Sequence, residues 1–208
     1  MASELEIDTP YGPARAHVHE PSNRTGGIGA LVLAHGAGGG VEAVDLVAAK
    51  DVAVARSFTV ALVEHPYRVA GKRAPAPAKR LDEGWLAIIA ALRAGTIGDL
   101  PLISGGRSMS ARVACRTSAE VGAAAVLGLA FPLHPPGKAD DPTKSRLPEL
   151  DAVTVPVLVV QGRSDPFGMP PTAPGREVVQ LAGDHGLKAD IDGLRQALTR
   201  WPPLATTG

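Results

Sequence analysis

The chain has 208 residues, with 21 Lys+Arg against 21 Asp+Glu, and 45% of it is hydrophobic. That apolar share supports one sizeable core and argues against disorder, while zero net charge gives no electrostatic case for nucleic acid or an anionic membrane as the main partner. One cysteine, Cys115, excludes an intramolecular disulfide and a multi-cysteine metal site.

Aromatic residues make up only 3% of the chain, so the core must be built from Val, Leu, Ile and Ala. Residues 4–20 predict a hairpin: Leu5 and Ile7 alternate with acids, Pro10-Tyr11-Gly12-Pro13 turns, and Ala16 and Val18 alternate on the return. Residues 28–34 form a continuous apolar run, the pattern of a strand covered on both faces. Helical spacing follows over 41–56 (Val44, Val47, Ala48), then a short apolar strand over 58–63. Residues 65–79 are rich in Pro, Ala and basic side chains and predict a loop. A helix over 81–92 places Trp85, Ile88, Ile89 and Leu92 on one face. A strand over 102–106, a helix over 109–120, and strands over 123–129, 155–161 and 177–181 come next. The last helix is expected from Leu187, with Ile191, Leu194, Leu198 and Trp201 on its stripe.

Apolar strands alternating with amphipathic helices predict one α/β domain over residues 1–208 with a mostly parallel sheet covered on both faces. No uncharged apolar stretch reaches the ~18 residues of a membrane span. The longest candidate, residues 121–133, contains Pro132. The first residues, Met1-Ala2-Ser3-Glu4-Leu5-Glu6, carry acids and lack a signal-peptide run, so a cytoplasmic protein is expected. Asn23-Arg24-Thr25 fits a glycosylation sequon without a secretory context.

Parallel sheets place their chemistry at the carboxyl ends of the strands. His35-Gly36-Ala37-Gly38-Gly39-Gly40 follows the strand at 28–34, and Arg107-Ser108-Met109-Ser110 follows that at 102–106. Asp165 lies after the strand at 155–161, and Asp184-His185-Gly186 after that at 177–181. Gly106-Arg107-Ser108-Met109-Ser110 matches G-x-S-x-G except at its last position, where Ser110 is small but not glycine. A serine raised on a sharp strand-to-helix turn needs small neighbours two residues away, and it stands at a helix N-terminus that favours developing negative charge. The rival reading is a capping serine.

An unassisted alcohol is a poor nucleophile at neutral pH; it needs a base, and the base needs an acid to fix its tautomer. Asp165 and His185 follow Ser108 in the chain order serine, acid, histidine, and of the six histidines only His185 lies beyond Asp165. Read alone, Asp165 is an Asx turn, His185 a helix-start histidine and Asp184 a solvated turn residue. The glycine-rich loop fits an oxyanion hole made from the N–H groups of Ala37 and Met109. It also fits a dinucleotide loop, because Gly38-Gly39-Gly40-Val41-Glu42-Ala43 matches G-x-G-x-x-A and Glu64 ends the next strand.

His35, Arg107 and His134 are candidate substrate contacts. Arg107 is equally suited to pair with an acid such as Glu64, and His134-Pro135-Pro136 to make a structural turn. Arg68, Lys72, Arg73, Lys79 and Arg80 share one loop that reads as solvated rather than as a lid. Cys115 reads as a small core residue. No spacing of Cys, His and Asp supports a metal. Residues 130–154 include five prolines and cannot hold a multi-helix cap, so a shallow, open site is expected.

The chain resembles small α/β-hydrolases of the dienelactone-hydrolase-like kind, and is similar to the branch of NSL-complex-regulatory-subunit-like proteins. The resemblance rests on Leu33-Ala34-His35-Gly36-Ala37-Gly38, Gly105-Gly106-Arg107-Ser108-Met109, the run 131–138, Gln161-Gly162-Arg163-Ser164-Asp165-Pro166-Phe167-Gly168, and Gly183-Asp184-His185-Gly186-Leu187-Lys188. It implies an eight-stranded type of sheet whose first strands are antiparallel, and a Ser108–Asp165–His185 triad. Two positions depart from the pattern: Ser110 stands for a usual glycine, and Gly186 for a frequent acid. The expected activity is hydrolysis of an ester or related acyl bond on a small molecule, without a cofactor. The alternatives are a non-catalytic interaction module on the same fold, since some relatives act in protein complexes, and a dinucleotide-binding reductase.

Overall fold

The computed structural model describes residues 2–21 and 27–204. Asn23-Arg24-Thr25 lies outside the described residues. Eight strands form one sheet: β1 (Ala2–Ile7), β2 (Ala14–His19), β3 (Gly29–Ala34), β4 (Phe58–Glu64), β5 (Leu102–Arg107), β6 (Ala123–Leu129), β7 (Val157–Gly162) and β8 (Arg176–Leu181). Their order across the sheet is β1-β2-β4-β3-β5-β6-β7-β8. β1 pairs antiparallel with β2 and β2 antiparallel with β4, whereas every later pair is parallel. This is an α/β-hydrolase fold with the expected N-terminal antiparallel hairpin and, among the described residues, no large cap domain.

The strand sequences explain the layers. In β3 every residue is buried, and alternate side chains serve opposite faces. Leu31 and Leu33 join a core with α1 (Val44–Ala55) and α6 (Ile191–Arg200). Ala30, Val32 and Ala34 join the core beneath α3 (Ala78–Gly95), which contributes Leu81, Trp85, Ile88, Ile89 and Leu92. A third cluster sets Ala111, Ala114 and Cys115 of α4 (Met109–Thr117) against Val126, Val157 and Val159. Burying each Leu or Val stabilises the fold by roughly 1.5–3 kcal/mol. Burial also pushes the Cys115 thiol up to about 12, as befits a core residue.

Two expectations change. The last helix begins at Ile191, not Leu187, because Asp190 caps it by accepting the Gly193 N–H at 2.8 Å. Leu187 instead sits in a turn with φ +49° and is 1% exposed. The segment 65–79 is not wholly loop: α2 (Pro66–Val69) occupies its start, with Pro66 at the first helical position, and α3 already begins at Ala78. Between β6 and β7 the short α5 (Leu147–Asp151) docks on α4, where Glu149 accepts hydrogen bonds from Arg112 at 2.6 and 2.8 Å.

Candidate active site

β5 ends at Arg107 and α4 starts at Met109, so Ser108 alone makes the turn between them. Its backbone lies at φ +53°, ψ −108°, a region that side-chain-bearing residues rarely occupy and that costs on the order of 1–3 kcal/mol. Packing enforces it. A Cβ on Gly106 would stand 2.5 Å from the Ser110 Cβ and 2.9 Å from the Ala34 carbonyl oxygen, so only glycine fits there. Ser108 makes no capping hydrogen bond, although it occupies the N-cap position of α4. Its hydroxyl instead donates to His185 Nε2 at 2.8 Å.

His185 reaches it from the loop after β8, and its Nδ1–H donates to Asp165 Oδ2 at 2.8 Å. The Asp165 side chain is 1% exposed, against 19% for His185. Asp165 does make an Asx turn, with Oδ1 accepting the Phe167 N–H at 2.8 Å, but its other oxygen serves the imidazole. That Oδ2 also accepts from Gln161 Nε2 at 2.8 Å. Gln161 is the penultimate residue of β7, and its amide donates as well to the Phe131 and Gly168 carbonyls at 3.1 and 2.9 Å. Both carboxylate oxygens are thus held, and Asp165 faces the imidazole in one orientation. Asp184 is a turn residue, accepting the Gly186 N–H at 2.8 Å.

Ala37 and Ser108 line one cleft of about 570 Å³, together with Gly38–Gly40, Glu42, Arg107, Phe167, His185 and Lys188. Met109 is the first residue of α4, so its N–H has no intrahelical acceptor. The three candidate substrate contacts fare differently. His35 is fully buried: its Nδ1–H donates to the Gly36 carbonyl at 2.8 Å and its Nε2 accepts the His65 N–H at 3.3 Å, so the ring supports the glycine loop from beneath and offers a substrate no surface. Arg107 does line the cleft, but its ion-pair partner is Asp45 at 2.8 Å, not Glu64. His134 is absent from the cleft lining; its Nδ1–H donates to the Pro135 carbonyl at 2.8 Å, and its ring fills the space left open by Gly168 at φ +91°.

The dinucleotide arrangement is not assembled. The helix after the glycines starts only at Val44, and Glu64 is held by His17 at 3.2 Å and Arg15 at 3.5 Å. Of the five basic residues at 68–80, none lines the cleft; Lys79 meets Glu83 at 3.8 Å and Arg80 lies over the Tyr11 ring. Among the described residues, no group of three or more His, Cys, Asp or Glu is placed to hold a metal ion, and no helix is long and apolar enough to cross a membrane.

Sequence reasoning missed four residues of this site. Phe167 packs its ring 4.3 Å from that of His185. Gln161 carried a faint signal, an amide at the end of an otherwise apolar strand. Asp45 looked like any acid in a first helical turn. His65, beyond β4, gave no sign of pairing with Ser110, whose hydroxyl lies 2.9 Å from its Nε2.

The model of the alpha/beta hydrolase domain family matches residues 28–190. A serine hydrolase without a lid from Xanthomonas campestris superposes with a TM-score of 0.74 at 20% identity, covering 95% of this chain and 92% of that one. Est1E from Butyrivibrio proteoclasticus, with ferulic acid bound, gives 0.76 at 16% identity, over 93% and 95%. Dienelactone hydrolase from Anabaena variabilis gives 0.71 at 14%, over 97% and 96%. At these identities the likeness concerns the fold. Comparison with curated proteins finds no match.

Proposed function

Because the chain belongs to the alpha/beta hydrolase domain family, we propose that it is a serine hydrolase cleaving a carboxylic ester or related acyl bond of a small molecule. One observation carries the reading: Ser108, His185 and Asp165 form an unbroken relay with two 2.8 Å hydrogen bonds at the mouth of an open cleft. Ser108 Oγ attacks the acyl carbon as His185 Nε2 takes its proton, and Asp165 orients and stabilises the imidazolium. The N–H groups of Ala37 and Met109 hold the oxyanion, a single such donor contributing about 3 kcal/mol. His185 returns the proton to the leaving group. Water, activated by the same imidazole, then releases the acyl group from Ser108, and no further reactant is consumed.

The bare glycine wall and the missing cap favour small or exposed acyl groups over long chains. Within the family we place the chain near the dienelactone-hydrolase-like members and the NSL-complex-regulatory-subunit-like branch, on the five sequence stretches quoted above. A fluorophosphonate probe tests the activity. Labelling at Ser108, lost in Ser108→Ala, is expected, together with turnover of short-chain nitrophenyl esters. Folded protein that stays unlabelled and inert while retaining a protein partner overturns it in favour of the interaction module.

A further inference from the structure

Arg107 occupies the variable position of the G-x-S turn, where an arginine beside a nucleophile suggests a ligand for a substrate carboxylate. Its contacts point elsewhere. Nε donates to Asp45 Oδ2 at 2.8 Å, and Nη2 donates to the main-chain carbonyl of His185 at 2.8 Å. Nη1 borders the glycine loop, since a Cβ on Gly36 would lie 3.0 Å from it. Asp45 sits in the first turn of α1 with a side chain 1% exposed, and its Oδ1 accepts the Leu46 N–H at 2.9 Å. One planar guanidinium therefore touches the base loop, the buried end of α1 and the edge of the oxyanion loop. Its fork suits such a bridge, because the donors are fixed relative to one another.

We propose that Arg107 is a positioning residue that sets His185 against Ser108, and that Asp45 is the anchor holding it there. The proposal rests on the serine hydrolase reading. The base loop needs such a tie. It contains Gly183 and Gly186, and Leu187 turns through φ +49°. Asp165 fixes the ring at Nδ1 and Phe167 packs on its face, but the main chain that carries the ring is held at the His185 carbonyl by Arg107. Misplacing a catalytic group by ~1 Å can cost about 100-fold in rate.

The test compares wild type with Arg107→Met, Arg107→Lys, Asp45→Asn and the Arg107→Met/Asp45→Asn pair, on one neutral and one anionic short-chain ester. Rates are normalised to the sites that fluorophosphonate labels. For Arg107→Met the expected result is a kcat lower by about 10- to 100-fold on both esters with KM changed less than about twofold. Asp45→Asn should fall in the same direction, and the pair should be no worse than Arg107→Met, because the two act as one unit. Arg107→Lys should restore little, since a single ammonium cannot bridge both partners. Proton NMR of the imidazole Nδ1–H gives a second readout, expected sharp in wild type and broadened in Arg107→Met. An unchanged kcat per labelled site, or a KM rise confined to the anionic ester, overturns the proposal. If wild type neither labels nor turns over, the hydrolase reading fails by itself. The NMR signal then decides: broadening in Arg107→Met upholds the clamp and an unaltered signal overturns it.

Discussion

His185 follows β8 and His65 follows β4, each just past the carboxyl end of its strand. His185 keeps part of its ring in water and has a buried carboxylate 2.8 Å from Nδ1. His65 is fully buried among His35, Tyr67 and Trp85 with no carboxylate, and its Nδ1 has no partner among the described residues. Burial pushes its pKa down to about 3. The first environment sets the ring between a carboxylate and the Ser108 hydroxyl. The second disfavours an imidazolium, so its ring holds neighbours in place. His17 completes the contrast: carboxylates stand at 3.2 Å (Glu64) and 3.7 Å (Glu4), but both are shared with Arg15 on the hairpin face. A histidine beside a carboxylate is thus not a site; the buried acid and the strained serine make the difference.

The contrast breaks most visibly at the nucleophile. Ser108→Ala or His185→Gln should lower ester turnover by about four to six powers of ten, because members of such a relay act as a unit. His17→Gln should leave turnover within about twofold, and a comparable loss there would erase the distinction. Steady-state rates on a short nitrophenyl ester measure all three.

Asp165→Asn should cost about four powers of ten in kcat. The amide has one oxygen where the carboxylate has two, yet donors approach both positions: His185 and Gln161 at Oδ2, the Phe167 N–H at Oδ1. Either amide orientation sets a donor against a donor. Retained activity would mean that the imidazole keeps its tautomer without the acid.

The two histidine environments also separate in stability. The folded-state pKa of His65 lies below the unfolded value of 6.5, so the unfolded chain binds a proton that the folded chain refuses. Stability is full above pH 6.5 and falls as pH drops from there toward about 3, by up to about 1.4 kcal/mol per pH unit. Over that window the loss is on the order of 4–5 kcal/mol. His35, also lowered chiefly by burial, acts with the same sign. Denaturant midpoints at pH 7, 5.5 and 4 should therefore decline more steeply in wild type than in His65→Gln. Equal slopes would show that His65 is protonated in the folded state.

The sequence disclosed what depends on the chain itself. Strand-terminal loops follow from apolar runs and the helices that succeed them, so Ser108, Asp165 and His185 could be found by position and order. The start of α6 could not, because Asp190 and Leu187 offer competing boundaries and only packing shows Leu187 buried in a turn. Residues that act across the sheet were also hidden. Asp45 and Arg107 are 62 positions apart, and His65 and Ser110 are 45 apart. His35 stands beside the glycine-rich loop in the chain, but the direction of its ring depends on the His65 N–H that its Nε2 accepts.

The smallest expected effect sits at the position where the turn motif departs from glycine. Ser110 is 2% exposed and donates its hydroxyl to the His35 carbonyl at 2.6 Å, so the Ser110 Oγ accepts the His65 Nε2–H at 2.9 Å. The serine thus joins α4 to both buried histidines, and through His35 to the glycine loop. Ser110→Ala leaves a buried acceptor and a buried donor without partners, a loss of about 1–3 kcal/mol in stability. Ser110→Gly removes the same bonds and costs up to about 1 kcal/mol more in helix propensity. Alanine should therefore be the more stable of the two. Thermal melts rank them. In both variants the glycine loop loses a support without losing a reacting group, so kcat should drop only a few-fold while His185 remains unaffected.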